Sequence, residues 1–257
     1  MINKLKQSVL LEGGTIYDPF ENKKIKGSIL IQNGLVKEVG DIAAPENVTK
    51  VNCRGKLISP GFIDIHAHFR EPGREDKETL ATGARAAISG GFTRVCVMPN
   101  TNPPLDSPEA IRFIIEKSAD LPVKIYPMGA ITIGQKGLEL TEVGEMVKAG
   151  AVAISDDGLP VQNGQVLRNA LEYAQKYSIP VINHAEDIHL RNDGVMNESI
   201  LSTKLGLPGN PDISESVMVQ RDLEVADYTG GRIHIPHVST KRSVDLIWQY
   251  KKIGVNV

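Results

Sequence analysis

The segment Gly61–Arg70 reads GFIDIHAHFR and joins an apolar, β-branched run to two histidines, His66 and His68. Such a run is typical of a β-strand, and side chains two positions apart on a strand point to the same face, about 7 Å apart. Neutral imidazole nitrogen is a good ligand for zinc and related ions, so the pair could hold a divalent cation. Taken alone, the pair could equally be two polar residues that close an exposed strand.

The composition is that of an ordinary globular protein, since 41% of the 257 residues are hydrophobic and 23% are charged. A net charge of -2 offers no basic surface for nucleic acid or an anionic membrane. No apolar run reaches the roughly 18 residues of a transmembrane helix, and the N-terminal MINKLKQSVLLEGG lacks the features of a secretory leader. Two cysteines, Cys53 and Cys96, make no disulfide framework, so we expect a cytoplasmic protein.

Residues 1–57 predict a small β-rich unit, a portion of a β-sandwich. Short apolar runs alternate with turns there, and no long helical pattern occurs. Asn33-Gly34 between two such runs indicates a two-residue hairpin, because both residues tolerate positive φ.

Residues 58–257 predict an α/β domain with a parallel sheet that helices cover on its faces. The predicted strands span 58–66, 92–98, 123–130, 151–156, 179–184 and 232–238. The predicted helices are Lys77–Ser89, one that begins at Asp106-Ser107-Pro108, Val166–Tyr177 and Ser216–Tyr228. A seventh strand is predicted to begin at Val255-Asn256-Val257. A (β/α)8 barrel needs eight strands and about 250 residues, so we expect an incomplete barrel of about six strands in a chain cut short before the last ones.

Further histidines and carboxylates follow the later predicted strands, where active groups of parallel α/β folds lie. They are Asp156, Asp157, His184 and His237. Together with the first two histidines they exceed what one tetrahedral zinc ion needs, so the set predicts two metal ions that share a bridging ligand. Neighbouring carboxylates diverge, so Asp156 and Asp157 should not bind equivalently. The pattern alone leaves open which of them is the ligand.

Five motifs place these residues in a recognisable family. HAHFREPG, CVMPNTNPP, AISDDG, NHAED and HIPHVS, in this order and spacing, closely resemble the amidohydrolase superfamily and, within it, the bacterial type I dihydroorotases. The resemblance covers essentially the whole chain, and HFREPG and MPNTNPP are specific to the dihydroorotase branch. It implies a zinc-dependent, reversible cyclisation of N-carbamoyl-L-aspartate to L-dihydroorotate in pyrimidine biosynthesis.

The resemblance also implies roles for single residues. Two zinc ions with a bridging hydroxide as nucleophile would be held by His66, His68, Asp157, His184 and His237. Asp157 would be the bridge that orients the metals. Arg70 and Asn100 would bind the substrate's carboxylate, and a planar guanidinium one strand position beyond His68 on the same face suits that task. Other interpretations are a loop-anchoring ion pair for Arg70 and a turn residue before Pro103-Pro104 for Asn100.

Two departures from the family pattern limit what is implied. Many relatives bridge their metals with a carboxylated lysine on the fourth strand, but Ala151–Ser155 contains none, and Lys148 lies at the end of the preceding helix. The proton-handling aspartate of the eighth strand, and a further substrate-binding histidine, would lie beyond Val257. This chain alone is therefore expected to show little or no ring closure.

Two alternative functions remain. The first is a hydantoinase or dihydropyrimidinase, against which the absent lysine and the MPNTNPP segment argue. The second is a non-catalytic dihydroorotase-like subunit that scaffolds aspartate transcarbamoylase, against which the intact metal residues argue. The implied partners are a small-molecule substrate and, in addition, a second copy in a homodimer or aspartate transcarbamoylase in a complex.

Four other side chains are predicted to be structural. His189 is interpreted as a solvated helix residue, and His234 as facing away from His237 on its strand. Cys96 is predicted to be an inert core residue and Trp248 to lie in a helix core.

Overall fold

The computed structural model describes residues 8–257, which fall into two compact units that divide between Phe62 and Ile63. Residues 1–7 lie outside the described residues. They begin the N-terminal segment that is predicted to lack a secretory leader. Within residues 8–257, no helix is long and apolar enough to cross a membrane.

The first unit is a five-stranded sheet. Its strands are β1 (Val9–Asp18), β2 (Lys23–Gln32), β3 (Leu35–Gly40), β4 (Thr49–Asn52) and β5 (Leu57–Ile58). The order is β3-β2-β1-β4, and β5 also pairs with β1. Strands β2 and β3 are antiparallel around Asn33 and Gly34, whose φ angles of 54° and 77° confirm the predicted hairpin turn.

The second unit alternates strands with helices. Its strands are β6 (Phe62–Ala67), β7 (Phe92–Val97), β8 (Lys124–Pro127), β9 (Ile154–Ser155), β10 (Val181–Ile182), β11 (Met196–Asn197), β12 (Gly209–Asn210) and β13 (Ile233–His234). Its helices are α1 (Leu80–Ser89), α2 (Pro108–Ser118), α3 (Val143–Ala149), α4 (Gly164–Gln175), α5 (Ile188–Arg191), α6 (Ile200–Leu205), α7 (Ile213–Thr229) and α8 (Lys241–Lys252). The α/β prediction is thereby confirmed.

Six strands of this unit follow one another in chain order. They form the series β6-β7-β8 and β9-β10-β13, and a parallel bridge between Gly129 and Ile154 connects the two series. The pairings β7–β8, β9–β10 and β10–β13 are parallel. Strands β11 and β12 pair with each other in an excursion between β10 and α7. The carboxyl ends of successive strands therefore meet at one edge.

Five of the helices, α1, α2, α3, α4 and α7, bury apolar side chains in the core around these strands. Helix α2 shows the local cause: Ser107 caps its first turn, Pro108 starts it, and Ile111 and Ile114 are fully buried. Burial of such a side chain contributes about 1.5–3 kcal/mol relative to leaving it exposed. Leu223 on α7 is buried in the same core.

Helix α1 begins at Leu80 rather than at the predicted Lys77. Thr79 adopts an extended backbone there, and its side chain accepts the Thr82 backbone N–H, which is the geometry of a helix cap.

The predicted seventh strand at Val255-Asn256-Val257 is not a strand in the structure. The N–H groups of Val255 and Val257 donate to Tyr250 and Val255. The carbonyl of Asn256, between them, accepts the N–H of Ile233 on β13 at 3.0 Å, so the segment contacts β13 without forming a regular ladder.

The prediction that Trp248 lies in a helix core is wrong. Its side chain is 59% exposed, and the Lys252 ammonium lies 5.3 Å from its ring centroid. The side of α8 that packs against the core carries Leu246, Ile247 and Tyr250. Position 248 therefore lies on the opposite side of the helix.

Candidate metal centre

The strand register brings the predicted ligands to one level of the sheet. Ile154 of β9 pairs with Val181 of β10, which pairs with Ile233 of β13. Asp157 and His184 lie three residues after Ile154 and Val181, so they reach the same level beyond the carboxyl ends of their strands. His237 lies four residues after Ile233, in the loop that follows β13. His66 lies on β6, and His68 follows that strand directly.

The Asp157 carboxylate lies at the centre of the four histidines, and its side chain is only 4% exposed. Its Oδ1 atom lies 3.5 Å from Nε2 of His66, 3.7 Å from Nδ1 of His184 and 3.2 Å from Nε2 of His237. Its Oδ2 atom lies 3.4 Å from Nε2 of His68. The structure therefore gathers the four histidines named as metal ligands around the carboxylate of the fifth, Asp157.

These residues form two groups of three that share the aspartate. One group is His66, His68 and Asp157, and the other is Asp157, His184 and His237. Within each group the candidate ligand atoms lie within 4.8 Å of one another. Each group is of the size that holds one divalent ion, so the cluster could hold two ions with a carboxylate between them.

Two features of the cluster fit metal ions better than hydrogen bonds. Nε2 of His66 and Nδ1 of His184 are buried without a hydrogen-bond partner among the described residues, which costs about 1–3 kcal/mol each if nothing compensates. Zinc holds nitrogen and oxygen ligands about 2.0–2.2 Å away, so two ligand atoms of one tetrahedral ion lie about 3.3–3.6 Å apart. The contacts to Asp157 span 3.2–3.7 Å. The donor set therefore fits divalent metal ions.

The electrostatics keep Asp157 charged. Burial by itself would raise the pKa of this carboxyl, but the contacts with His184 and His66 outweigh burial and hold the pKa well below its ordinary value. The same contact with Asp157 raises the pKa of His184 against the effect of burial. Asp157 is therefore ionised near neutral pH, as a metal ligand must be.

The neighbouring Asp156 points elsewhere. It is 2% exposed and accepts the backbone N–H groups of Ile131 at 2.8 Å and Thr132 at 3.1 Å, together with the Thr132 hydroxyl. Burial raises its pKa to about 6. The two adjacent carboxylates thus occupy different environments: Asp156 anchors the segment around residue 131, and Asp157 faces the histidines.

Asn100 contacts a histidine of the cluster. Its Oδ1 atom lies 2.8 Å from Nδ1 of His68. Because a carboxamide oxygen can only accept, this contact places the proton on Nδ1 and leaves Nε2 of His68 free to bind a metal. Burial lowers the pKa of His68, which favours the same neutral ring. The sequence predicts a substrate-binding or a turn role for Asn100 and carries no signal for this contact with His68.

Arg70 reaches the cluster by a turn rather than by strand alternation. Strand β6 ends at Ala67, and the φ angle of Arg70 is 60°, in the left-handed region. The expectation that Arg70 continues the strand on the face of His68 is therefore wrong in its geometry. The charge of Arg70 contributes to the lowered pKa of His68.

An open cavity of about 380 Å³ adjoins the second group of ligands. His184 and His237 line one part of it, and Glu186, Asn210 and Lys241 line another. The cluster is therefore accessible to a small polar molecule from this side.

The other singled-out residues lie away from the cluster. His189 is exposed on α5, and Lys148 pairs with Glu145 on the surface of α3. His234 lines a different, mainly apolar cavity of about 330 Å³, and burial lowers its pKa. Burial likewise raises the pKa of the Cys96 thiol, which keeps it protonated and inert.

Solved structures with the same fold include hydantoinases and a dihydropyrimidinase. L-hydantoinase from Arthrobacter aurescens aligns with a TM-score of 0.80 at 20% identity, over 97% of this chain and 57% of its own. Dihydropyrimidinase from Brevibacillus agri aligns with a TM-score of 0.78 at 18% identity, over 98% of this chain and 56% of its own. At such identities the likeness establishes the fold, which is the hydantoinase fold.

Sequence relatives identify the family. The family model described as dihydro-orotase-like matches residues 55–243. Dihydroorotases from Desulforapulum autotrophicum and Acetivibrio thermocellus are 47% and 46% identical over 97% of this chain. The chain belongs to the dihydro-orotase-like family, as its motifs predicted. It spans 59% of the length of these two relatives.

Proposed function

We propose that the protein acts as a dihydroorotase, which interconverts N-carbamoyl-L-aspartate and L-dihydroorotate with gain or loss of water in pyrimidine biosynthesis. The observation that supports this most directly is one ionised carboxylate, Asp157, shared by two three-residue groups of metal-binding side chains. Membership of the dihydro-orotase-like family supports the choice of substrate.

The residues that would hold two zinc ions are the aspartate whose carboxylate is shared and the four histidines around it. They are His66, His68, Asp157, His184 and His237. The ions would supply a water nucleophile activated at neutral pH and would polarise the carbonyl under attack. Asp157 orients the cluster and stays ionised, because its pKa lies far below neutrality. Asn100 keeps His68 in the tautomer that a metal needs.

Arg70 and Asn100 are proposed to bind the substrate's carboxylate. A guanidinium presents parallel N–H donors that match the two oxygens of a carboxylate. The carbonyl oxygen of Asn100 already contacts His68, which leaves the Asn100 amide N–H groups to donate to a ligand. Both side chains would hold the substrate beside the cluster and set its orientation.

Asp156 is not available for proton transfer in this proposal. Its two oxygens accept three hydrogen bonds from Ile131 and Thr132. The proton for the leaving nitrogen is therefore assigned to a group other than these two aspartates.

The fold proposal follows from the same family. We infer that residues 58–257 are the larger part of a (β/α)8 barrel, with about six of its eight strands, and that residues 1–57 belong to a small β-sandwich. The six strands in chain order from β6 to β13 support this interpretation. A homodimer, or a complex with aspartate transcarbamoylase, stays a prediction.

Two alternatives fit the site less well. A hydantoinase whose metals are bridged by a lysine needs that lysine on β9, but Ala151–Ser155 contains none. Asp157 lies between the histidines instead. A non-catalytic scaffold has no need of five converging ligands, two of them with orphaned buried nitrogens.

The experiment that tests the proposal measures zinc content and ligand choice. Purified protein should bind close to two zinc ions per chain and, when loaded, should bind N-carbamoyl-L-aspartate in calorimetry. N-carbamoyl-β-alanine differs only by lacking the α-carboxylate, and it should bind at least tenfold more weakly, since a lost charge-assisted pair costs about 1.5–3 kcal/mol.

Arg70→Gln should remove most of that preference while zinc content stays unchanged. Equal binding of both ligands would favour the hydantoinase alternative. Absence of bound zinc would contradict the proposed mechanism.

A further inference from the structure

Helix α7 lies behind the second group of candidate ligands and contributes none of them. Two of its carboxylates, Glu215 and Asp222, are seven residues apart, so they lie on the same face about 10 Å apart along the helix. Each carboxylate accepts hydrogen bonds from chain segments that carry ligands.

Asp222 is fully buried and joins two of these segments. Its Oδ2 atom accepts Nδ2 of Asn183 at 2.6 Å, and Asn183 immediately precedes His184. Its Oδ1 atom accepts Nε and Nη2 of Arg221 at 2.9 and 2.5 Å. Asp222 thereby connects the end of β10 to the guanidinium beside it.

Arg221 carries the connection to the loop after Asp157. Its Nη1 and Nη2 atoms donate to the carbonyls of Gln162 at 2.7 Å and Val161 at 2.8 Å. The Oδ1 atom of Asn183 accepts the Val161 N–H at 3.1 Å and closes the network. All four polar side-chain atoms of the buried Asn183 and Asp222 therefore take part in hydrogen bonds that hold these segments together.

Glu215 holds the third segment. Its carboxylate accepts the backbone N–H groups of Ser239 at 2.9 Å and Thr240 at 3.1 Å, and the Thr240 hydroxyl at 3.0 Å. Ser239 in turn donates its hydroxyl to the carbonyl of His237 at 2.8 Å. The φ angle of His237 is 59°, so its backbone needs such support to keep this conformation.

We infer that Glu215 and Asp222 are positioning residues that fix the spacing of Asp157, His184 and His237, and so set the affinity of that group for its metal ion. This inference rests on the proposed function, because it takes the cluster to be a metal centre. The first group is supported differently: the His66 N–H donates to Asp64, and the His68 ring contacts Asn100. Helix α7 should therefore control one of two metal equivalents more strongly than the other.

The variants are Glu215→Gln and Asp222→Asn, each of which replaces one acceptor oxygen by a donor group. Glu224→Gln on the same helix is the matched control, because its carboxylate accepts Gln220 and the Tyr250 hydroxyl and contacts no ligand segment. Zinc affinity is measured by competition with a chelator, cobalt(II) absorption reports the coordination geometry, and thermal unfolding is recorded without metal.

The expected result is that one of two zinc equivalents binds at least about tenfold more weakly in Glu215→Gln and Asp222→Asn, as for other residues behind metal ligands. The other equivalent should change less, and excess zinc should restore the second one. The control should bind both equivalents as the unaltered protein does. The metal-free melting temperature of Glu215→Gln should match that of the control, which separates positioning from folding. If Asp222→Asn does not fold, the Glu215→Gln variant provides the test, because Glu215 is only half-buried.

Two zinc equivalents of unchanged affinity in both variants would overturn the inference while leaving the proposed function intact. Equal weakening of both equivalents, in step with a lower metal-free melting temperature, would also overturn it. An unaltered protein that binds no zinc would overturn the proposed function and this inference together.

Discussion

Replacing Asp156 and Asp157 in turn should separate a structural carboxylate from a metal-binding one. The two residues are adjacent and nearly equally buried, yet Asp156 accepts three hydrogen bonds from residues 131 and 132 whereas Asp157 faces the histidines. Four variants make the comparison: alanine and asparagine at each position. Both replacements remove the charge, so each pair differs only in the polar atoms that remain.

The magnitude at Asp156 follows from its two backbone donors. Asparagine keeps one oxygen for the N–H groups of Ile131 and Thr132, which are fully buried, whereas alanine leaves both without an acceptor. A buried, unsatisfied donor costs about 1–3 kcal/mol, so Asp156→Ala should be about 3 kcal/mol less stable than Asp156→Asn. This is a large share of the 5–15 kcal/mol typical of a folded domain.

At Asp157 the same pair of substitutions should change stability little and metal binding greatly. In the metal-free protein no backbone N–H within residues 8–257 donates to its carboxylate, so the alanine and asparagine variants should differ by less than about 1 kcal/mol in unfolding free energy. Both should lose at least one zinc equivalent, because both groups of ligands include this oxygen donor.

Urea unfolding of the metal-free variants and zinc titration of the same samples provide the two measurements. The reasoning is refuted if Asp156→Ala and Asp156→Asn are equally stable. It is refuted as well if the Asp156 variants lose zinc while the Asp157 variants keep two equivalents.

Three further predictions concern the surroundings of the cluster. Asn100→Ala removes the acceptor that fixes the His68 tautomer, so zinc affinity should fall about 10- to 100-fold in a chelator competition, with Asn100→Asp retaining more of it. Gly73→Ala should lower the melting temperature, because Gly73 has a φ of 92° and an added methyl group would clash with the Asn102 carbonyl. Gly34→Ala, at a φ of 77° but with open space around it, should lower it less. The hydrogen bond that Tyr250 donates to the Glu224 carboxylate on α7 raises the pKa of Tyr250 to about 12. This hydrogen bond between α8 and α7 should therefore be intact below about pH 10 and should be lost as the pH rises through 12. An ultraviolet titration in which Tyr250→Phe removes no late-titrating phenol would contradict this prediction.

The alternation of strands and helices could be predicted because it depends on local patterns. The caps of α2 and the Asn33-Gly34 hairpin are encoded within a few residues of chain, and both occur as expected. The start of α1 and the outward face of Trp248 were predicted wrongly. The exposure of Trp248 depends on which side of α8 meets the core, and that is settled by the elements packed against it. The start of α1 is set by the local cap at Thr79.

The sequence by itself determined the family, through the resemblance of motifs such as HAHFREPG and MPNTNPP, and it determined the set of candidate ligands, because four histidines and a pair of aspartates lie at the ends of predicted strands. Only the tertiary structure separated Asp156 from Asp157, because adjacent side chains diverge and their partners lie about 25 residues or more away in the chain. Tertiary structure likewise decided the backbone turn at Arg70, the second role of Asn100 and the support from α7. These features rest on hydrogen bonds between distant segments, and no local periodicity records such bonds.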